Sequence, residues 1–406
     1  MRSINPHWSG DRIYQETRKI VGARMQIITY EEWLPKILGP RGMAMLGQYT
    51  GYNDEVNPTI SNEFATAAFR FGHTLVPPIL YRLDSQWNPI IQGHLELHKA
   101  FFAPDRMLKD GGLDPILRGL LYHGVRQNAR QPPLNPELTE KLFAMAHELA
   151  LDLAALNVQR GRDHGFPSYT AYAHSVCKLL PQKYPDSFED LSDLISSADL
   201  REKLRQVYGH PGNIDLFVGG ILEDLLPEAR VGPTFGCIIA DQFKRLRAGD
   251  RFWYEADGVF SVAQRAELKR AGGYLSRVIC DNADNMTEIT KDAFMRPMRG
   301  KKDMVMCSSL KLPRLNLAYW KYCPNADISG DDSYSFESRF ASENGTPVNN
   351  VRRRRSVPDT PPPSCEQGSC NNEENDQLPQ LLRRISTLEK RLHQLQSELQ
   401  NRAAGD

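Results

Sequence analysis

His73 follows Phe69-Arg70-Phe71-Gly72 in an otherwise apolar stretch, with Arg70 three positions before it. On a helix that spacing sets both side chains on one face. A buried imidazole beside a guanidinium is a poor structural choice by itself, because the cation disfavours a protonated ring and itself wants an anion. A neutral histidine bound to a metal, with the arginine on an anionic group of the same cofactor, answers both needs. Haem fits that description: iron for His73, a propionate for Arg70. The ordinary alternative is a core histidine whose hydrogen bonds are satisfied. A second polar constellation, Asn157-Val158-Gln159-Arg160-Gly161-Arg162-Asp163-His164-Gly165, closes a helix that follows the apolar run Leu149 to Leu156. Its ordinary reading is a capped terminus with Asp163 paired to an arginine.

The remaining histidines carry less. His94 and His98 stand four apart with Glu96 between them, so one helical face could hold a metal, but a third ligand is lacking and Gly93 weakens the helix. His147-Glu148 begins like a zinc-protease motif, which then fails because position 151 is leucine.

The elements that must position these residues read as mainly α. Ile13, Ile20, Val21, Met25 and Ile28 recur at helical spacing, as do Phe64, Ala68, Phe71 and Leu75 behind the capping candidates Ser61 and Asn62. The run Leu138 to Leu153 repeats the pattern. Pro77-Pro78, Pro132-Pro133 and Pro211-Gly212 mark turns. Residues 1–325 therefore form a helical globular domain, and 326–377, rich in Ser, Asn, Asp, Glu and Pro, a disordered linker. In 378–400, Leu378, Leu381, Ile385, Leu388, Leu392, Leu395 and Leu399 alternate spacings of three and four, the seam of a short coiled-coil helix. Arg384-Ile385-Ser386-Thr387-Leu388-Glu389 resembles a trimer signature, so a homotrimer is expected, with an intermolecular disulfide, which Cys365 and Cys370 just upstream could supply, to reinforce so short a coil.

Composition sets outer limits. The 406 residues hold 50 Lys+Arg against 50 Asp+Glu, a formal net charge of zero, which argues against a nucleic-acid partner. No stretch approaches the roughly 20 apolar residues of a membrane span; the best, Leu216 to Leu222, is broken by two glycines. The opening Met1 to Trp8 has no apolar segment of the signal-peptide kind. Seven cysteines, none in a C-x-x-C, are too few for a disulfide scaffold, and the odd number suggests an intermolecular bridge or one reactive thiol. Asn285 and Asn344 head glycosylation triplets, and Arg352 to Arg355 form a basic run that a processing protease could reach. These features favour secretion; a solvated patch or a nuclear-import signal is the alternative for the basic run.

Asn157 to Gly165 with Pro167 and Tyr169, together with Phe69 to Leu75, resemble the signature of the animal haem peroxidases. The resemblance runs from Trp8 to Trp320 and includes Arg18 to Ala23, Gln26 to Tyr30, Gly112 to Gly119 and Asp250 to Tyr254. The wording of Gln159 to Gly165, the linker and the tail is similar to the peroxidasins, the extracellular-matrix branch of the family. The resemblance implies haem b as cofactor, covalently linked in complete members. It implies His73 as the axial ligand of the iron, Asn157 on that ring's other nitrogen, Arg70 on a propionate and Arg160 nearby. It also implies disulfides Cys177–Cys237 and Cys280–Cys307, leaving Cys323 for a bridge between chains, and convertase cleavage in the basic run, Arg352 to Arg355. Its partners would be hydrogen peroxide and a halide, bromide in this branch, oxidised to a hypohalous acid that cross-links collagen IV in the matrix.

The same resemblance places the distal histidine and arginine, the haem-esterifying carboxylates and the calcium loop N-terminal to the region matched here. The expectation is therefore a partial peroxidase domain, with no catalytic residue of its own. Acid–base help of about 10²–10⁴ would be lost, leaving weak turnover or none. The competing expectation is a non-catalytic truncated isoform that acts in oligomer assembly through its coiled coil.

Overall fold

A computed structural model of the chain describes residues 1–125, 133–146, 148–180 and 184–322. Twelve α-helices run in the order α1 Gly10–Ile27, α2 Leu34–Leu46, α3 Asn62–Thr66, α4 Leu113–Tyr122, α5 Pro136–Thr139, α6 Leu153–Asp163, α7 Tyr169–Ala171, α8 Ala198–Tyr208, α9 Leu216–Leu222, α10 Pro233–Ala248, α11 Val262–Ala271 and α12 Leu275–Asn282. The described residues also hold short 3-10 and π-helical segments and two small antiparallel ladders: β1 Ile79–Leu80 with β2 Leu95–Glu96, and β3 Glu288–Thr290 with β4 Met304–Met306. The mainly α expectation is met. The linker, the coiled-coil segment, His147, Asn344, Arg352, Arg355, Cys323, Cys365 and Cys370 lie outside the described residues.

The main core gathers around α10. Its buried Phe235, Ile238, Ile239 and Phe243 meet Leu34, Ile37 and Leu38 of α2, Phe64 of α3, and Leu216 and Phe217 of α9. The two glycines that interrupt the apolar run of α9 have a packing reason. A Cβ on Gly219 would lie 2.1 Å from Tyr169 Cγ, and one on Gly220 would lie 2.1 Å from Phe235 Cε1. The bare backbone lets α9 wedge between two aromatic rings. In α2 the helix is interrupted at Gly39-Pro40, where Gly39 has φ +62°. A side chain there would meet the Pro227 carbonyl oxygen at 2.4 Å, so only glycine suits both the conformation and the contact.

Two helical readings need correction. The spacing in Leu138 to Leu153 does not build one helix. Chain geometry breaks at Phe143, where φ is +59°, and Leu142 pairs with Leu151 as an isolated antiparallel bridge. Leu138 and Leu142 instead join Leu97 in a small satellite cluster, with Leu151 and Leu153 against it, while Leu149 is exposed. In α1 the core-facing stripe is Ile20, Ala23 and Ile27, while Val21 and Met25 are exposed. Apolar identity overstated the width of that face. A π-helical segment, Ile28–Trp33, joins α1 to α2.

Disulfides tie Cys177 to Cys237 and Cys280 to Cys307, with Cα–Cα separations of 6.0 and 5.6 Å. The first pins the residue after the π-helical Tyr172–Val176 to the central helix α10. Asn285 is exposed, at positive φ (55°).

Candidate functional site

His73 and Arg70 lie on a 3-10 helix, Ala68–Thr74. With three residues per turn, positions i and i+3 eclipse, so Arg70 and His73 form a single row, tighter than the α-helical neighbours expected from spacing. The segment is anchored from below by Ala68 and Phe71, both buried in the main core. It enters from α3, whose Ser61 caps the first turn by accepting from the Phe64 N–H at 3.4 Å.

Asn157 comes from α6, 84 residues later. That helix is capped by Asp152, whose carboxylate accepts from the N–H groups of Ala154 and Ala155 at 2.8 and 3.1 Å. The Asn157 side chain is 1% exposed and lies between the two residues of the 3-10 row. Arg70 Nη1 donates to Asn157 Oδ1 at 2.8 Å, and Asn157 Nδ2 stands 3.0 Å from His73 Nδ1. Burial, then the neighbouring Arg70 charge, push the His73 pKa below its ordinary value. Burial, then repulsion from Arg160, also lower that of Arg70. Both shifts have the same sense: the uncharged imidazole is favoured, and Arg160 lies near enough for its charge to oppose that of Arg70.

Arg160 pairs with Asp163, as a capped terminus requires, and its Nη2 lies 3.0 Å from His164 Nε2. His164 Nδ1 reaches Asn62 Oδ1 at 2.7 Å. This places Asn62 in the network although the sequence offered it only as a capping candidate; its link from α3 to the end of α6 helps hold the His73 segment against the Asn157 helix. Arg162 turns away to a bidentate pair with Asp215, at 3.0 and 2.8 Å. A cavity of about 270 Å³ borders Asn157, Arg162 and Asp215, and His73 is not among its lining residues.

His94 and His98 are committed elsewhere. His94 and His98 do not share a helical face, because Leu95–Glu96 is strand β2. His94 Nδ1 accepts from the Arg82 N–H at 3.2 Å, and His98 Nδ1 lies 2.6 Å from Glu137 Oε2.

The donor set suits a carboxylated metallotetrapyrrole. His73 is neutral, and its Nε2 makes no hydrogen bond among the described residues. Arg70 has no carboxylate partner there, although it stands beside a second cation.

Comparison with known proteins gives the same direction. The family model "Animal haem peroxidase" matches residues 1–294. The chain is 50% identical over 364 residues to the mouse protein named Peroxidasin homolog, covering 87% of this chain and 24% of that protein. It is 45% identical over 324 residues to human Thyroid peroxidase, covering 79% and 34%. Among solved structures, Peroxidase A from Dictyostelium discoideum superposes with a TM-score of 0.62 at 31% identity, covering 72% of this chain and 53% of that one. The chain therefore spans about a quarter of the length of the peroxidasin relative. With the family model matched across most of the sequence, the chain belongs to the animal haem peroxidase family.

Proposed function

We propose that this chain forms the proximal side of a haem peroxidase of the peroxidasin type. The observation that carries the reading is the contact of half-buried His73 with buried Asn157, beside an arginine that has no carboxylate partner among the described residues. His73 Nε2 would ligate the iron, Asn157 would fix the ring's orientation, and Arg70 with Arg160 would hold the carboxylates. An amide on the ring's far nitrogen leaves the ligand less anionic than a carboxylate would, which tunes the metal's potential. When bound, the haem supplies the redox chemistry that reduces peroxide at the expense of a donor.

The substrate reading extends the likeness to the peroxidasins. Hydrogen peroxide, bromide and one proton would give hypobromous acid and water, and the acid would cross-link collagen IV. The groups that cleave peroxide would come from polypeptide outside these 406 residues. Two disulfides and the exposed Asn285 acceptor support secretion into the matrix. Among the described residues no helix is long and apolar enough to cross a membrane.

Titrating the purified chain with haemin tests the reading. A saturable Soret band of histidine-ligated ferric haem, at one haem per chain, is expected; absence of saturable binding overturns it.

The heptad seam from Leu378 to Leu399 supports assembly as a second, compatible role. Sedimentation should find trimers at micromolar chain concentration, and Leu388→Pro should return them to monomers. A monomeric parent chain at that concentration removes the assembly role.

A further inference from the structure

Arginine carries only hydrogen-bond donors. The Asn157 atom 2.8 Å from Arg70 Nη1 must therefore be the amide oxygen, which turns the amide nitrogen, itself a donor, toward His73 Nδ1 at 3.0 Å. Nδ1 then has to accept, so the proton of the neutral ring sits on Nε2. That is the tautomer that cannot give its Nε2 electron pair to a metal. Ligation through Nε2 needs the reverse: Nδ1 protonated and donating to an amide oxygen. The amide cannot make that turn while Arg70 stays in place, because its NH2 group would then face the guanidinium, donor against donor.

We propose that Arg70 is a positioning residue that latches His73 in the non-ligating tautomer, and that a carboxylate of an incoming tetrapyrrole releases the latch. The inference rests on the haem reading above. An anion draws the guanidinium off Asn157, the amide rotates, and the ring proton moves from Nε2 to Nδ1 through solvent exchange. No net proton is gained or lost. The iron site would thus open only to a ligand carrying an acidic group, which gives selectivity for carboxylated tetrapyrroles over free metal ions. A bare metal ion has nothing with which to pull Arg70 away.

Long-range proton–nitrogen NMR of the full chain with 15N-labelled histidine, without haem and at pH 8, reads the tautomer directly. His73→Ala identifies the resonances. The parent chain should show His73 chiefly as the Nε2–H form. Arg70→Met should change the tautomer ratio by about tenfold, the worth of one charge-assisted hydrogen bond. Arg70→Lys, which also offers only donors, should restore the parent ratio. A parent ring protonated at Nδ1, or a ratio indifferent to Arg70→Met, overturns the latch.

Iron-free protoporphyrin IX, which has carboxylates and no metal, should shift His73 toward Nδ1–H, whereas octaethylporphyrin, without carboxylates, should not. Equal shifts with both overturn the release step. If the apo tautomer behaves as stated but haemin and protoporphyrin both fail to bind, the haem reading and the release step fall, and the control of His73 by Arg70 stands.

Discussion

Replacing His73 with alanine is expected to weaken haemin binding by more than about 100-fold and to leave the apo chain folded. Loss of a partner that only orients a metal ligand costs about 10–100-fold, so loss of the ligand itself exceeds that range. The fold has little invested in the imidazole. It is half-buried, and its one hydrogen bond among the described residues runs to Asn157. The core beneath the 3-10 segment is held by Ala68 and Phe71 instead. Absorbance titration gives the affinity, and circular dichroism of the apo variant checks the fold. Unchanged haemin affinity with the Soret maximum in place would move the iron ligand to another residue.

The largest effect on stability is expected at Glu223, a residue that nothing in the sequence singled out. Its carboxylate is 4% exposed at the end of α9. It accepts from the N–H groups of Thr234 and Phe235 at 2.9 and 3.1 Å, the first turn of α10, and from the Tyr169 hydroxyl at 3.0 Å. Glu223→Ala leaves those buried donors without partners, each at a cost of about 1–3 kcal/mol. A total loss of about 3–5 kcal/mol in urea unfolding at pH 7 is therefore expected; a loss below about 1 kcal/mol would mean that water replaces the carboxylate at no penalty.

The same site gives a pH signature. Burial pushes the Glu223 pKa up to about 7 against an ordinary 4.5, and the backbone donors of Phe235 and Thr234 restrain it. A folded value above the free one means that the native state holds the proton more tightly. Its stabilising contribution is complete below about pH 4.5 and lost as pH rises through 7. Relative to the parent, Glu223→Gln should lack this decline, on the order of 2–3 kcal/mol across the window. Parallel stability profiles for the two proteins would show that the carboxyl titrates alike in both states.

The two halves of the His73–Asn157 contact were legible in the sequence because each carried a chemical oddity. Arg70 beside His73 on an apolar face needs an explanation, and so do four polar groups ending an apolar helix. Their meeting, Asn157 on His73, came from the family resemblance and not from spacing, since 84 residues separate them. Helix existence was readable where a cap preceded apolar spacing, as at Ser61 and α3. It failed at Leu138 to Leu153, where the same leucines serve a satellite cluster and a positive-φ Phe143 breaks the chain. Glu223 was hidden because a glutamate after an apolar run ordinarily faces water. Its role depends on a helix N-terminus ten residues on that folds back over it.

The separation between His73 and Asn157 also sets a timetable for biosynthesis. A ribosome exposes the imidazole well before the amide, and the bridge from Cys177 to Cys237 cannot close until later still. During that interval the nascent chain displays a histidine with no steadying neighbour and no walled site. On the haem reading proposed above, cofactor loading would follow the docking of α6, because only then does Asn157 reach the imidazole.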